Sequence, residues 1–212
     1  MINKSTIFAF AAGVLAFASL PQAQAATLLF HVTVDTAPLT TSPNGPFSLD
    51  FQLNDGSGSA DGNNTATLSN FTFGGGAATG SPTYLGGVTG DISSSLTFSE
   101  SNAFNEFFQG FTAGTSLAFD VAISRNTDAG ITPDSFIFSI LDSTLGAITT
   151  SGPAGQSVQF DITSPIIGVD AVQSFNGNGD YTGVNASVVP EPSANLLALA
   201  SIFGVLTIRR RK

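Results

Sequence analysis

Strict alternation of apolar and polar residues runs through the middle of this chain and commits it to strands. Phe47, Leu49, Phe51 and Leu53 alternate with Ser48, Asp50 and Gln52. Leu117, Phe119, Val121 and Ile123 repeat the pattern, as do Phe136, Phe138 and Ile140, and then Val158, Phe160 and Ile162. Successive side chains on a strand point to opposite faces, so each segment has one face to bury and one to wet. No stretch outside the two ends shows the helical period over a normal helix length.

The same reading extends to weaker segments. Residues 27–34 open the series with Leu28, Phe30, Val32 and Val34 on one face. Residues 65–73 form a strand with an irregularity at Ser69-Asn70, ended by Gly74-Gly75-Gly76. Tyr84-Leu85 reads as a short edge strand, and Ile92, Ser94, Leu96 and Phe98 share a face of the next. Residues 145–150 return as a hairpin partner of the strand around Phe138, and residues 166–175 and 181–188 close the body. Residues 100–112 read two ways, because Phe104, Phe107, Phe108 and Phe111 recur at three and four. A helical turn and a bulged strand both fit. Many short strands between Gly, Pro, Asn and Asp clusters predict an all-β chain, an antiparallel β-sandwich of jelly-roll-like form.

Both ends are set apart from that body. Lys4 precedes an apolar run over residues 7–20, and Pro21-Gln22-Ala23-Gln24-Ala25 follows. A basic start, an apolar helix and an Ala-x-Ala site are the parts of a secretory signal peptide, with cleavage after Ala25 and Ala23 as its other small residue. At the other end stand Val189, Pro190, Glu191 and Pro192, an uncharged apolar run over residues 196–208, and Arg209, Arg210, Arg211 and Lys212. The prolines hold the motif extended and helix-free. A helix over about residues 194–208 is slightly short of the roughly 20 residues of an ordinary span, a gap that snorkelling arginines and bilayer thinning close. The terminal cations stay on the cytoplasmic side. The expected organisation is a signal peptide (1–25), a β-sandwich (26–187) and a sorting or anchor segment (188–212).

That motif, its apolar helix and its terminal Arg cluster resemble the PEP-CTERM sorting signal. The resemblance implies recognition by exosortase, a membrane protease-transpeptidase, after processing by signal peptidase. It also implies delivery to the cell surface or an extracellular matrix rich in exopolysaccharide. Within the body, residues 45–56 and Asp61-Gly62-Asn63-Asn64-Thr65 resemble a group of PEP-CTERM proteins, which implies a family and no activity.

Composition narrows the chemistry. The chain has no cysteine, so its stability must come from the core rather than from disulfides. Outside the two terminal segments the only Lys or Arg is Arg125, set against fourteen Asp and Glu residues. Nucleic acid is excluded as a partner, because phosphate binding needs clustered cations. His31 is the only histidine, so a Ser-His-Asp site would have to use it, yet no Gly-x-Ser-x-Gly turn occurs in the body. No His/Cys set for zinc exists.

Oxygen ligands are better represented. Asp55, Ser57, Ser59, Asp61 and Asn63 alternate along one loop and form a candidate calcium site, and Asn176, Asn178 and Asp180 repeat the spacing on a smaller scale. Calcium takes six to eight oxygens, but the same residue types serve turns for their own geometry. Asp50, Asp120 and Asp161 each adjoin a Phe on a strand, and on neighbouring strands they would present paired carboxylates suited to glycoside hydrolysis. Trp is absent and Tyr84 and Tyr181 are the only tyrosines, so no aromatic sugar platform is evident. The expectation is a non-catalytic exported protein with a structural or interaction role and no cofactor. A calcium-assisted carbohydrate-binding module and a polysaccharide hydrolase are the alternatives.

Overall fold

The computed structural model describes residues 27–56, 60–127, 132–163, 172–177 and 181–189. The signal peptide, the helix expected at about 194–208 and the motif beyond Val189 lie outside them. Among the described residues no helix is long and apolar enough to cross a membrane.

Among the described residues twelve strands form two antiparallel sheets. They are β1 (Leu28–Asp35), β2 (Phe47–Asn54), β3 (Thr65–Thr72), β4 (Ala77–Leu85), β5 (Gly87–Gly90), β6 (Ser95–Ser99), β7 (Phe104–Thr112), β8 (Ser116–Ile123), β9 (Asp134–Leu141), β10 (Val158–Ile162), β11 (Val172–Ser174) and β12 (Thr182–Val188). The first sheet runs β12-β1-β8-β3-β6-β5 and the second β11-β10-β9-β2-β7-β4. The expected all-β class and the four strongest alternating strands are borne out.

The core lies between the sheets and is built from the inward period of each strand. Phe30, Phe51, Phe98, Phe107, Phe119, Phe136, Phe138 and Phe160 are fully buried there. Phe51 is the hub. It stacks on Phe138 at 4.9 Å between ring centroids, meets Phe119 edge-on at 5.2 Å, and also contacts Phe71, Phe107 and Phe136. Edge-on and offset rings satisfy the aromatic quadrupole as well as burying area.

Four local expectations are met, resolved or corrected. Residues 104–112 are a strand, with Asn105, Phe107, Gln109 and Phe111 inward while Phe104 is 40% exposed. The three-and-four spacing of phenylalanines was a coincidence of one inward and one outward row. The segment at Tyr84-Leu85 is the end of a nine-residue edge strand whose Ala, Thr, Gly and Ser residues are mostly exposed and carry no apolar pattern. Ile92 sits in the turn before β6 rather than in the strand. The irregularity at Ser69-Asn70 is present: the β3–β8 register shifts between Ser69 and Thr72, and Asn70 has φ 57°.

The outward face of the second sheet is not bare. Ser48 and Asp50 on β2 are buried, although they point away from the core. Residues 142–156, which join β9 to β10, fold back beside that face. Ala147 bridges Leu141, and Ile148 N donates to Ile140 O at 2.9 Å. This is the return expected of residues 145–150, shortened to a few bonds.

Candidate functional site

Strand register assembles a groove on the outward face of the second sheet. Gln52 faces Glu106 across β2–β7, and it faces Ile137 across β2–β9. Asp50 faces Ser139 on β9. The β9–β10 connection supplies the other wall, so that Leu145, Ala147, Ala154 and Gln156 line a cavity of 340 Å³ together with Asp50, Gln52, Glu106 and Ser139. That volume is at the lower end of the roughly 300–1,000 Å³ of small-ligand sites.

The electrostatics of the groove are unusual. Asp50 is only 5% exposed. Burial, then the neighbouring Glu106 charge, push its pKa up to about 7, against the donation from Gln52. Gln52 Nε2 reaches Asp50 Oδ2 at 2.8 Å. Glu106 lines the same groove as Asp50 and lies diagonally across the β2–β7 pair from it. Asp50 Oδ1 and Gln156 Oε1 are buried with no hydrogen-bond donor among the described residues. The wall is also strained: Leu145 (φ 63°) and Ala154 (φ 49°) both adopt the left-handed conformation that non-glycine residues avoid.

The acidic trio Asp50, Asp120 and Asp161 is not brought together. Asp120 belongs to the other sheet, and Asp50 and Asp161 lie on β2 and β10, on opposite sides of β9. Asp50 instead shares its groove with Glu106, which no sequence spacing links to it.

His31 points to the outward face of the first sheet, as its parity in β1 requires. Its Nδ1 lies 2.5 Å from Asp120 Oδ1, and Asn70 Nδ2 donates to Asp120 Oδ2 at 2.7 Å. The Asn70 bond, against the opposing effect of burial and with help from the His31 contact, holds the Asp120 pKa below its ordinary value. Ser187 is the register partner of His31 on β12, so Asp120, His31 and Ser187 form one row. The row lies on an open face, and in-plane strand amides cannot converge above it as an oxyanion hole requires.

A second polar cluster closes one end of the sandwich. Asp55 follows β2, Asn64 precedes β3, Glu100 follows β6, Arg125 and Asn126 follow β8, and Asp134 begins β9. Asn64 is fully buried and ties them together. Its backbone N donates to Glu100 Oε2 at 2.9 Å, and its Nδ2 donates to Asp134 Oδ2 at 2.7 Å and to Asn126 O at 2.8 Å. Its Oδ1 accepts from Asn126 N and Ser124 Oγ. Burial and the Asp134 charge raise the Glu100 pKa to about 8, and burial raises that of Asp134.

The candidate calcium loop runs into this cluster. Asp55 is buried and its Oδ2 accepts from Ala60 N at 2.5 Å. Asp61 is exposed and accepts from Asn63 N and Nδ2. Ser57 and Ser59 lie outside the described residues. In the smaller loop, Asn176 Oδ1 accepts from Val184 N, and Asn178 and Asp180 are outside the description. Among the described residues no group of three or more His, Cys, Asp or Glu side chains is placed to hold a metal ion. Of the sorting residues only Val189 is described, and its N donates to Leu29 O at 2.8 Å.

No protein-family model matches the chain, no curated protein matches it, and no solved structure matches it.

Proposed function

We propose that the chain is an exported protein of the cell surface or extracellular matrix, sorted by exosortase, whose body has a non-catalytic interaction role. The observation that carries the sorting half is the terminal order Val189-Pro190-Glu191-Pro192, apolar run, Arg209 to Lys212. The interaction half is supported by the groove over the second sheet, a cavity of 340 Å³ lined by Asp50, Gln52, Glu106 and Gln156. The dispersal of Asp50, Asp120 and Asp161 favours a binding role over glycoside hydrolysis. The body is read as a jelly roll. In support, β1 pairs with β8, β2 with β7 and β3 with β6, in nested order.

Intact-mass measurement and fractionation from the native host, with and without its exosortase, test this reading. A mature chain that starts near Ala26 and lacks the tail is expected only when exosortase is present. Retention of Arg209 to Lys212 in the membrane in both strains overturns the sorting assignment.

A further inference from the structure

A second cavity, of 280 Å³, shares no lining residue with the groove described above. Asn70, Phe71 and Phe73 come to it from β3 and its end, and Ala78 from β4 on the other sheet. Two local features open it. β3 keeps β6 as a neighbour only as far as the Ser69–Ser95 pair, because the chain is still turning over residues 91–94 before β6 begins. The bulge then re-aims the rest of β3. Ala66 and Leu68 are buried inward, so unbroken alternation would send Asn70 inward and Phe71 outward. With Asn70 at φ 57° and the register shifted, Phe71 and Phe73 turn to the core instead. Their rings are near-parallel, 19° apart with centroids 6.5 Å apart, and both stay half-buried. Phe71 stacks on Phe119 at 5.2 Å and Phe73 meets Phe111, so core packing fixes the pair in place. The lack of Trp conceals this aromatic surface in the sequence.

We propose that this cavity binds one uncharged sugar ring of a saccharide, a pyranose with equatorial hydroxyls. Among the described residues no titratable side chain lines it, although the chain carries a formal charge of −9. The carboxylates bonded to its lining are spent on the protein. Asp91 Oδ1 accepts from Ser93 N, Ser93 Oγ and Ser94 N, and Asp120 Oδ2 accepts from Asn70 Nδ2. A phosphorylated or cationic ligand would find no counter-charge in the lining and would lose its hydration. Half-buried rings stand beside exposed Asn70, Ser93 and Ser94, so an apolar surface adjoins amide and hydroxyl groups. A pyranose with equatorial hydroxyls is divided the same way: axial C–H bonds make its faces apolar, and its rim both donates and accepts. The polar groups have capacity left for that rim. The Ser93 and Ser94 hydroxyls donate to Asp91 and keep their lone pairs, and Asn70 keeps a second N–H and its Oδ1. An acyl chain would strip water from these groups and bond none of them. The volume lies just under the roughly 300 Å³ at which ordinary small-ligand sites begin, which admits one ring and leaves its neighbours outside.

The proposal names a ligand for the interaction role above and rests on that role, not on how the tail is processed, so fractionation and binding fail separately. The test is saturation-transfer NMR and calorimetric titration of the full-length chain with cellotriose, beside 1-hexanol and N-acetylprolinamide. Saturable binding of cellotriose is expected, with transfer strongest at the axial ring protons. Asn70→Gly suits the left-handed backbone and removes the amide, and it is expected to bind about fivefold more weakly. Phe73→Leu keeps an apolar side chain without the ring, and a loss of about three- to tenfold is expected. Ser94→Ala, on an exposed turn, gives a third reading that does not touch the core. Melting curves of all three variants separate lost binding from lost folding. No saturable binding of cellotriose, or undiminished binding in all three variants, overturns the assignment. Tighter binding of 1-hexanol or of N-acetylprolinamide also overturns it, and would give the cavity to an acyl chain or to a proline-rich peptide.

Discussion

Asp50 on β2 and Glu106 on β7 lie diagonally across two neighbouring strands and line one groove, and the chain folds back over them. An ordinary Asp would be ionised above pH 4, whereas this one holds its proton to about pH 7. Glu100, at the end of the sandwich, holds its own to about pH 8. Folding therefore takes up protons between roughly pH 4 and 8, and stability falls as pH rises through that window. Asp91, Asp120 and Asp142 behave oppositely: hydrogen bonds lower their pKa values, so their stabilisation is lost only in stronger acid. The melting temperature is expected to peak near pH 5 and to decline towards pH 8. Scanning calorimetry at constant ionic strength checks this, and a melting temperature that climbs over the same interval would refute it.

Asp50→Asn should flatten the lower half of that pH profile. At pH 8 the variant is expected to be more stable than the parent by about 1–3 kcal/mol, since the removed charge is the one that burial opposes. Urea unfolding at pH 5 and pH 8 isolates the effect, because the gain should shrink sharply at the lower pH.

Asn64→Ala removes the tie between β3, β8 and β9. It strips four side-chain hydrogen bonds and leaves Asp134 Oδ2 and Asn126 N without this partner. A loss of roughly 3 kcal/mol or more is expected in urea unfolding, since each buried group left bare costs about 1–3 kcal/mol. A loss under 1 kcal/mol would show that the cluster does not hold the sandwich end together.

The two rows of β7 give a contrast within one strand. Phe107→Ala should cost about 3–5 kcal/mol, as expected of a fully buried ring. Phe104→Ala should cost much less, because that ring is 40% exposed. Similar losses at both positions would contradict the strand assignment.

His31→Ala should change stability by no more than about 1 kcal/mol. The His31–Asp120 pair lies on an exposed face, where screening and side-chain entropy offset most of the attraction. A much larger loss would mean that the row of Asp120, His31 and Ser187 does more than decorate the sheet.

The legible part of the fold is the part whose sequence carries its own face. Phe47-Leu49-Phe51-Leu53 and Leu117-Phe119-Val121-Ile123 announce both strand and orientation. Residues 77–85 do not, because an exposed edge strand has no apolar row to display. The groove was illegible for a different reason. Parity correctly places Asp50 on the outward face, but residues of the 142–156 connection, far along the chain, wall its groove, and Glu106 comes to the same groove diagonally across the β2–β7 pair. Asn64 hid inside a run that reads as turn chemistry, with nothing local to separate it from Asn63. The calcium pattern at Asp55 and Asp61 was visible as spacing, while the direction of each carboxylate depended on Ala60, Asn63 and the cluster beyond.

The pairing of β12 with β1 has a mechanical consequence. Val188 is the register partner of Phe30, and Val189 N bonds Leu29 O, so the last strand leaves the sheet beside the start of the first. β12 is also an outermost strand, bonded on one side only within its sheet. A pull transmitted through the chain beyond Val189 would load these bonds one after another, like a zipper, instead of shearing them together. The sandwich would open first at the edge nearest the point of pull, while the groove on the other sheet stayed intact.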